Sequence, residues 1–150
     1  MKQISLPDQA ATARLGREIA ERLRPGDVVA LSGGLGAGKT TLAREIIAAL
    51  GYQGDVPSPS FSIIEVYDPP AVRLPLVHAD FYRLESPDEI FEIGLDDYRE
   101  GAALIAEWPE QAGGFAHEAA CLSIALEIAD EGRLAIVEAG KDWHGRLPWR

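Results

Sequence analysis

The sequence predicts a three-layer α/β domain built around a mixed, mainly parallel sheet. An apolar run at Val28–Leu31 precedes a glycine-rich turn and an amphipathic stretch, so a buried strand leads directly into a helix. Ala102–Ala106 has the composition of another short buried strand, which ends at Glu107. Cys121–Ile128 and Leu134–Glu138 are separated by an Asp-Glu-Gly turn, which is typical of an antiparallel hairpin. Strands that alternate with helices and end in a hairpin indicate this class of fold.

The first two helices are predicted from their caps and from the spacing of their apolar residues. Asp8 is a suitable N-cap for a helix that ends at Pro25–Gly26. Gly51 is a natural C-terminal cap for the helix that follows the glycine-rich turn. The spacing predicts the inward residues, which are Leu15, Ile19 and Leu23 in the first helix and Leu42, Ile46, Ile47 and Leu50 in the second.

Three more elements are predicted between the second helix and the hairpin. Phe61–Tyr67 and Leu74–His78 are interpreted as strands, because each is an apolar run on one side of the Asp68–Pro70 turn. A third helix is expected to have Pro87 at its first position and acidic residues in its first turn. Its apolar side is predicted to consist of Ile90, Phe91 and Ile93.

Length and composition favour one domain, residues 1–150, because 150 residues that are 47% hydrophobic can form a single core. The polar segment from Lys141, which carries Trp143 and Trp149, is interpreted as a loose or partner-bound tail.

No run is suited to a membrane span or a signal peptide, and the lone Cys121 is interpreted as a core residue, so we expect a cytoplasmic protein. The net charge of −10 and the lack of a basic stretch argue against tight nucleic-acid binding by this chain alone.

Residues 33–40 read GGLGAGKT and form a complete phosphate-binding loop between the predicted strand and helix. Several backbone N–H groups and the positive end of a helix dipole then point at one place, which suits a chain of phosphates. The flanking elements argue against an ordinary glycine-rich connector. We therefore predict a P-loop NTPase-like domain that binds a nucleoside triphosphate through Gly33, Gly34, Leu35, Gly36, Ala37, Gly38, Lys39, Thr40 and Thr41.

Two acids follow buried strands, where a carboxylate ligand for Mg²⁺ is expected. Glu107 follows Ala103–Ala106, and Asp80 follows Leu76–Ala79. Mg²⁺ that bridges the β- and γ-phosphates prefers oxygen ligands, and the Thr40 hydroxyl is another suitable one. Each acid would also fit a solvated strand end, but the phosphate loop favours at least one of them at the metal. Asp80 and Glu107 are both candidate metal ligands and catalytic acids, and the spacing does not distinguish which one contacts Mg²⁺.

Four other side chains each permit two interpretations. Ser58 and Ser60 lie in a proline-rich loop, where nucleotide hydrolases carry a phosphate-sensing hydroxyl, but they also suit an ordinary turn. His78 fits a general base, although a lone histidine at a strand end is more often structural. Trp108 either packs in the core, which is the default, or shields the site. The sequence contains no asparagine, so guanine recognition by an Asn-Lys-x-Asp element is excluded and ATP is the expected nucleotide.

Four motifs together resemble the TsaE family. They are GGLGAGKTT at 33–41, SPSF at 58–61, HADFYRL at 78–84 and EWPE at 107–110, within a resemblance that runs from about Leu6 to about Val137. The resemblance implies a cytosolic ATPase that binds ATP and Mg²⁺ and serves bacterial tRNA threonylcarbamoyladenosine biosynthesis. It also implies a heterodimeric partner that transfers threonylcarbamoyl to an adenosine beside the anticodon. The ATPase cycle would reset that complex and would not itself modify tRNA.

The same resemblance implies roles for individual residues. Lys39 and Thr40 match the phosphate and Mg²⁺ contacts of the family. Glu107 matches the acid on the metal side, and Asp80 matches the acid of the His-x-Asp-x-Tyr-Arg motif of the family. One acid would lie on the metal, and the other would position water or metal-bound water. Both acids are therefore expected to be required for hydrolysis.

Three further positions are compared with the family pattern. Ser60 stands where the family usually has threonine, and this change keeps the hydroxyl. Arg133 resembles a position near the adenine. Gly34 replaces the usual aspartate of the loop, so phosphate binding by backbone N–H groups is expected to persist, whereas a role of that acid in partner contact or water positioning is not carried over.

Two other classes of function are consistent with a phosphate loop. A small-molecule kinase would pass the γ-phosphate to a substrate hydroxyl. Such kinases usually add a lid and a substrate-binding segment with several arginines. Arg83 and Arg99 are the only arginines between Arg73 and Arg133, so the sequence leaves little for a lid. A binding module would instead use ATP as an assembly signal and hydrolyse it too slowly to matter.

Overall fold

The computed structural model describes residues 1–57 and 64–147, and in these ranges seven strands form one sheet. The strands are β1 (Lys2–Leu6), β2 (Val28–Ser32), β3 (Ile64–Tyr67), β4 (Leu76–Asp80), β5 (Ala103–Glu107), β6 (Cys121–Ile128) and β7 (Arg133–Ala139). Their order across the sheet is β1-β7-β6-β2-β5-β4-β3. Strands β6, β2, β5 and β4 pair in parallel, while β7 and β3 are antiparallel to their neighbours. The predicted mixed, mainly parallel sheet and its β6–β7 hairpin are confirmed.

Helices cover both faces of this sheet. In the described ranges the α-helices are α1 (Gln9–Arg22), α2 (Lys39–Ala49), α3 (Glu89–Ile93) and α4 (Leu95–Arg99), and the 3₁₀ helices are Pro109–Ala112 and Lys141–Trp143. Helix α1 begins as predicted, because Asp8 Oδ1 accepts a hydrogen bond from the Ala11 N–H at 2.9 Å. None of the helices in the described ranges has the length and apolar character needed to cross a membrane.

Strand β2 is buried on both faces and divides the core into two clusters. Val29 and Leu31 pack with the apolar residues of α1 and α2 on one face. Val28 and Ala30 pack on the other face with residues such as Leu95 of α4. In sheets of this class, parallel strands are covered by helices on both faces. Ligands bind at the carboxyl ends of the central strands, at the point where the connections of neighbouring strands run to opposite sides. The glycine-rich loop begins at that end of β2.

The edge strand β1 was not predicted. It pairs antiparallel with β7, from Lys2 opposite Val137 to Leu6 opposite Arg133. Only Leu6 is fully buried, so the strand lacks the sustained apolar alternation that identifies a strand in a sequence. Pairing with β7 and contact with α1 hold it in place.

The helix that was predicted to start at Pro87 is present, but its predicted start is wrong by two residues. Helix α3 spans Glu89–Ile93 and is followed by Gly94, whose φ of +73° is the left-handed conformation that terminates helices. The chain then continues as the separate helix α4. Phe91 was expected on the apolar side, but its side chain is 71% exposed, whereas Ile90 and Ile93 are partly buried against the core.

The interpretation of the C-terminal segment as loose is wrong for residues 141–147. Trp143 is fully buried, and its indole Nε1–H donates to the Ala120 carbonyl at 2.7 Å. Arg146 forms two hydrogen bonds of 2.8 Å with the buried carboxylate of Asp27. The Arg146 guanidinium also lies 4.1 Å from the centroid of the Trp143 ring. This segment is packed onto the domain, and Trp149 lies outside the described residues.

Candidate nucleotide site

The loop between β2 and α2 depends on glycine conformations. Gly33, Gly36 and Gly38 have φ values of +137°, +76° and +107°, which L side chains rarely adopt. The Leu42 N–H donates to the carbonyl of Gly38, the residue just before α2. The N–H groups of the first turn, which come before Leu42, have no carbonyl one turn earlier in this helix to bond to. The loop therefore turns the chain so that backbone donors and the positive end of the α2 dipole face one cleft.

Two adjacent glycines of this loop provide a matched test. A Cβ atom at Gly33 would lie 2.4 Å from the Leu126 carbonyl oxygen, whereas one at Gly34 would meet nothing within 4 Å. We expect Gly33→Ala to lower the free energy of unfolding by about 2 kcal/mol or more through clash and backbone strain. Gly34→Ala should stay within about 0.5 kcal/mol of wild type. Urea unfolding of both variants measures the difference, and equal stabilities would contradict the close approach of Gly33 to β6.

Lys39 occupies the mouth of the loop. Its Nζ donates to the carbonyls of Gly33 and Gly34 at 2.8 and 2.7 Å, and it lies 4.3 Å from the centroid of the Trp108 ring. Burial lowers the pKa of Lys39, an effect that the charges of Glu107 and nearby acids oppose. The ammonium is thus largely removed from water and is held where an anion in the loop would meet it.

Trp108 lines this cleft, so the default assignment of its side chain to the core is wrong. The ring is only partly buried, contacts the Lys39 ammonium and lies 4.8 Å, between centroids, from the ring of Tyr82. Its backbone has a φ of +55°, which is rare for a bulky residue, and residues before proline disfavour helical conformations. Such strain costs about 1–3 kcal/mol and is found mostly at functional sites.

Glu107 ends β5 and lies beside the start of α2. The Thr40 hydroxyl donates to Glu107 Oε1 at 2.7 Å, and His78 Nε2 lies 2.7 Å from Glu107 Oε2. The residue is only 1% exposed. The parallel register places Glu107 opposite Leu31 of β2 on one side and Asp80 of β4 on the other. The sheet therefore brings the loop and both predicted acids together at the carboxyl ends of its central strands.

Asp80 is the more exposed of the two acids. Its Oδ1 accepts a hydrogen bond from the Tyr82 N–H at 3.0 Å. Burial raises the pKa of Asp80, and the Glu107 charge adds to this rise, while the Tyr82 hydrogen bond, His78 and Lys39 oppose it. Asp80 is therefore a carboxylate with a raised proton affinity on the open side of the cleft.

Arg133 lies beside the loop. Its Nε donates to the Ala37 carbonyl at 3.1 Å, and its Nη2 donates to the Gly36 carbonyl at 3.0 Å. It borders two adjacent cavities of about 350 and 200 Å³. The first cavity is lined by Lys39, Thr40, Thr41, Asp80, Tyr82, Glu107 and Trp108 among others, and the second by Leu6, Asp8, Gln9, Thr12, Leu126 and Gly132 among others.

The structure therefore gathers nearly every predicted site residue around one cleft. Ser60 falls at a position outside the described residues. The contact between His78 and Glu107 was missed by sequence reasoning. The spacing in the sequence does indicate that His78 and Asp80 share a face of their strand, because side chains two residues apart in a strand point the same way. It does not indicate which residue of β5 lies beside them, because that depends on the register between β4 and β5.

The domain belongs to the P-loop NTPase-like fold class. The features that define this class are a central strand, a glycine loop, the helix N-terminus that follows and an acid on the next parallel strand. A family model described as "Threonylcarbamoyl adenosine biosynthesis protein TsaE" matches residues 6–135. The chain belongs to this family.

Curated relatives and a solved structure agree with this assignment. A relative from Streptomyces coelicolor is 46% identical over 97 residues, which are 64% of this chain and 66% of the relative. One from Haemophilus influenzae is 34% identical over 85% of this chain and 83% of the relative. One from Rickettsia conorii is 38% identical over 71% of this chain, and the match spans 60% of that relative. All three are named "tRNA threonylcarbamoyladenosine biosynthesis protein TsaE".

The crystal structure of Bacillus subtilus YdiB has the same fold. It superposes with a TM-score of 0.73 and 28% sequence identity, covering 97% of this chain and 91% of that chain.

Proposed function

We propose that this chain binds and hydrolyses Mg²⁺·ATP as a subunit of the machinery that attaches threonylcarbamoyl to adenosine in tRNA. The observation that carries the proposal is the 2.7 Å hydrogen bond from Thr40 to Glu107 at the start of α2. It joins the hydroxyl of the phosphate loop to the buried acid of the neighbouring strand, which is the pairing that a nucleotide-bound Mg²⁺ requires. Family membership supports the link to tRNA modification.

Phosphate binding is assigned to the loop and to Lys39. The backbone N–H groups of residues 33–40 would contact the phosphate oxygens, and the α2 dipole would add to the attraction. The Lys39 ammonium now donates to two loop carbonyls at 2.8 and 2.7 Å, and it would exchange them for phosphate oxygens. Charge-assisted bonds to phosphate are stronger than those to neutral carbonyls, so this exchange favours binding.

The side chains at the cleft fit Mg²⁺ as the metal. Thr40, Glu107 and Asp80 supply hard oxygen donors, which are the ligands that Mg²⁺ prefers. In residues 1–57 and 64–147 no group of three or more His, Cys, Asp and Glu side chains is arranged to hold a metal ion. We propose that phosphate oxygens and water would complete the ligands of the ion. When bound, Mg²⁺ would neutralise charge on the β- and γ-phosphates.

The two acids would divide the remaining work. Glu107 is buried and fixed by two hydrogen bonds, so it would hold the Thr40 hydroxyl and the metal side of the site. Asp80 lies on the open side of the cleft and has a raised pKa, which suits a group that orients the attacking water or a metal-bound water.

The cavity of about 200 Å³ beside Arg133 is proposed to receive the base of ATP. Leu6 and Leu126 provide apolar walls, and Asp8 and Thr12 provide polar groups at its border. A site that mixes apolar walls with a few polar groups suits a planar heterocycle. Arg133 already donates to the loop carbonyls, so it would connect the base region to the phosphate region.

Partner proteins are proposed to hold the tRNA and to perform the transfer. The net charge of −10 disfavours direct binding of a phosphate backbone by this chain. ATP hydrolysis would then reset a heterodimeric transferase between turnovers, in the cytoplasm where tRNA is modified.

Phosphate release tests this function. We expect weak ATP hydrolysis by the purified chain and an acceleration of about tenfold or more when the heterodimeric transferase is added, because a partner that binds the cleft can complete the ordering of the site. Omission of Mg²⁺ should abolish the signal. Equal rates with and without the partner would contradict a coupled ATPase, and transfer of the γ-phosphate to a small-molecule hydroxyl would favour a kinase.

A further inference from the structure

His78 is an unusual residue for its place in the fold. It lies in the buried strand β4 between Val77 and Ala79, and its side chain is fully buried. Its ring makes one hydrogen bond, from Nε2 to Glu107 Oε2 at 2.7 Å, and Nδ1 has no partner within the described residues. A buried polar atom without a partner disfavours folding, so an apolar side chain would serve the core better. Compared with an apolar side chain, the imidazole of His78 provides one interaction, which is the contact with Glu107.

The direction of this hydrogen bond follows from the chemistry of the two groups. An ionised carboxylate only accepts hydrogen bonds, so His78 Nε2 is the donor. The Thr40 hydroxyl donates to the other oxygen, Glu107 Oε1, at 2.7 Å. The two oxygens of Glu107 are therefore fixed from two sides, by a residue of β4 and a residue of α2. The carboxylate has little freedom to rotate away from Thr40.

We infer that His78 is a positioning residue that holds the Glu107 carboxylate in the orientation that Mg²⁺ binding and turnover require. The inference rests on the proposed function, and it assigns to His78 no contact with the nucleotide. Groups that orient a metal ligand typically account for about 10–100-fold in metal affinity or activity. Without the Nε2–H donor, Glu107 Oε2 would be buried without a partner, and the carboxylate would turn to find another one.

A pair of amide substitutions separates this role from a general effect on packing. The side-chain nitrogen of glutamine lies as many bonds from the backbone as His78 Nε2, whereas that of asparagine matches Nδ1. His78→Gln can therefore reach Glu107, and His78→Asn cannot. The two variants place the same functional group in the same buried position and differ in reach.

Calorimetry with ATP, in the presence and absence of Mg²⁺, gives the first readout. We expect His78→Asn to reduce the gain in ATP affinity that Mg²⁺ provides by about 10-fold or more and to reduce hydrolysis by about 10–100-fold. ATP affinity without Mg²⁺ should be unchanged. His78→Gln should remain within about threefold of wild type in each measurement. If His78→Asn does not fold, His78→Leu takes its place, since it also removes the donor.

A double-mutant cycle on unfolding free energies gives the second readout and needs neither nucleotide nor metal. The cost of His78→Asn should largely disappear in a Glu107→Gln background, because the contact it removes is already altered there. Additive costs would overturn the inference. Equal behaviour of His78→Gln and His78→Asn, or an equal loss of ATP affinity with and without Mg²⁺, would also overturn it. If the wild-type chain itself does not bind Mg²⁺·ATP, the proposed function fails and the inference fails with it.

Discussion

The Lys39→Ala variant is expected to bind ATP about 100-fold or more weakly than the wild-type chain. Lys39 is the cation at the mouth of the loop, and its Nζ, which donates to the Gly33 and Gly34 carbonyls at 2.8 and 2.7 Å, would exchange these two bonds for bonds to phosphate oxygens. Hydrogen bonds to charged groups contribute about 1.5–3 kcal/mol each, so the loss of two accounts for this factor. Calorimetric titration with Mg²⁺·ATP measures it.

A matched control distinguishes this site effect from a change in overall charge. Lys141→Ala removes the same charge from an exposed position in the C-terminal 3₁₀ helix. Its dissociation constant for ATP should equal that of wild type. An unchanged dissociation constant for Lys39→Ala would show that the glycine loop is not the phosphate site, and the proposed function would be lost.

The Glu107→Gln variant is expected to bind ATP and to hydrolyse it about 100-fold or more slowly. The amide keeps the shape of the side chain but carries no charge toward the proposed metal. It also replaces an acceptor oxygen with an N–H donor, while Thr40 and His78 both donate to this group at 2.7 Å. One donor would then face another donor in a buried site, which is unfavourable. Single-turnover phosphate release, alongside ATP titration, separates the loss of hydrolysis from any loss of binding.

Glu110→Gln is the control for Glu107→Gln. Glu110 is an exposed acid three residues further along the chain, and its charge also acts on Lys39. Exposed charges contribute little because they are screened, so this variant should hydrolyse ATP within about twofold of wild type. A Glu107→Gln variant that turns over at the wild-type rate would remove Glu107 from the mechanism.

The parts of the fold that follow from local rules were predictable. The unit of β2, loop and α2 has an apolar run, glycines where positive φ is required and an amphipathic helix, and each of these is visible over a few residues. The hairpin of β6 and β7 was predictable for the same reason, since its strands are long and joined by a short turn. Asp80 and Glu107 could be identified as candidates because each ends a buried strand.

Features that depend on tertiary contacts were not predictable. Strand β1 is specified by its pairing with β7, and its own residues are mostly exposed. Trp108 belongs to the cleft because its backbone takes a left-handed conformation before Pro109, which no propensity indicates. The contact of His78 with Glu107 depends on the register between β4 and β5. For β1 and His78 the deciding interaction joins residues that are distant in the chain. For Trp108 the deciding feature is a backbone conformation that local preference opposes.

The pairing of Arg146 with Asp27 makes the C-terminal segment part of the scaffold of the candidate nucleotide site. Asp27 directly precedes β2, whose opposite end carries the glycine loop. A shortened chain that stops at Gly140 would expose the hydrophobic surface that Trp143 covers and would leave the Asp27 carboxylate buried without its cation. Breaking a buried ion pair in this way costs about 3–5 kcal/mol, a large share of the stability of a small domain. Removing these residues would therefore weaken the anchorage of β2, the strand whose far end carries the loop that is proposed to bind the nucleotide.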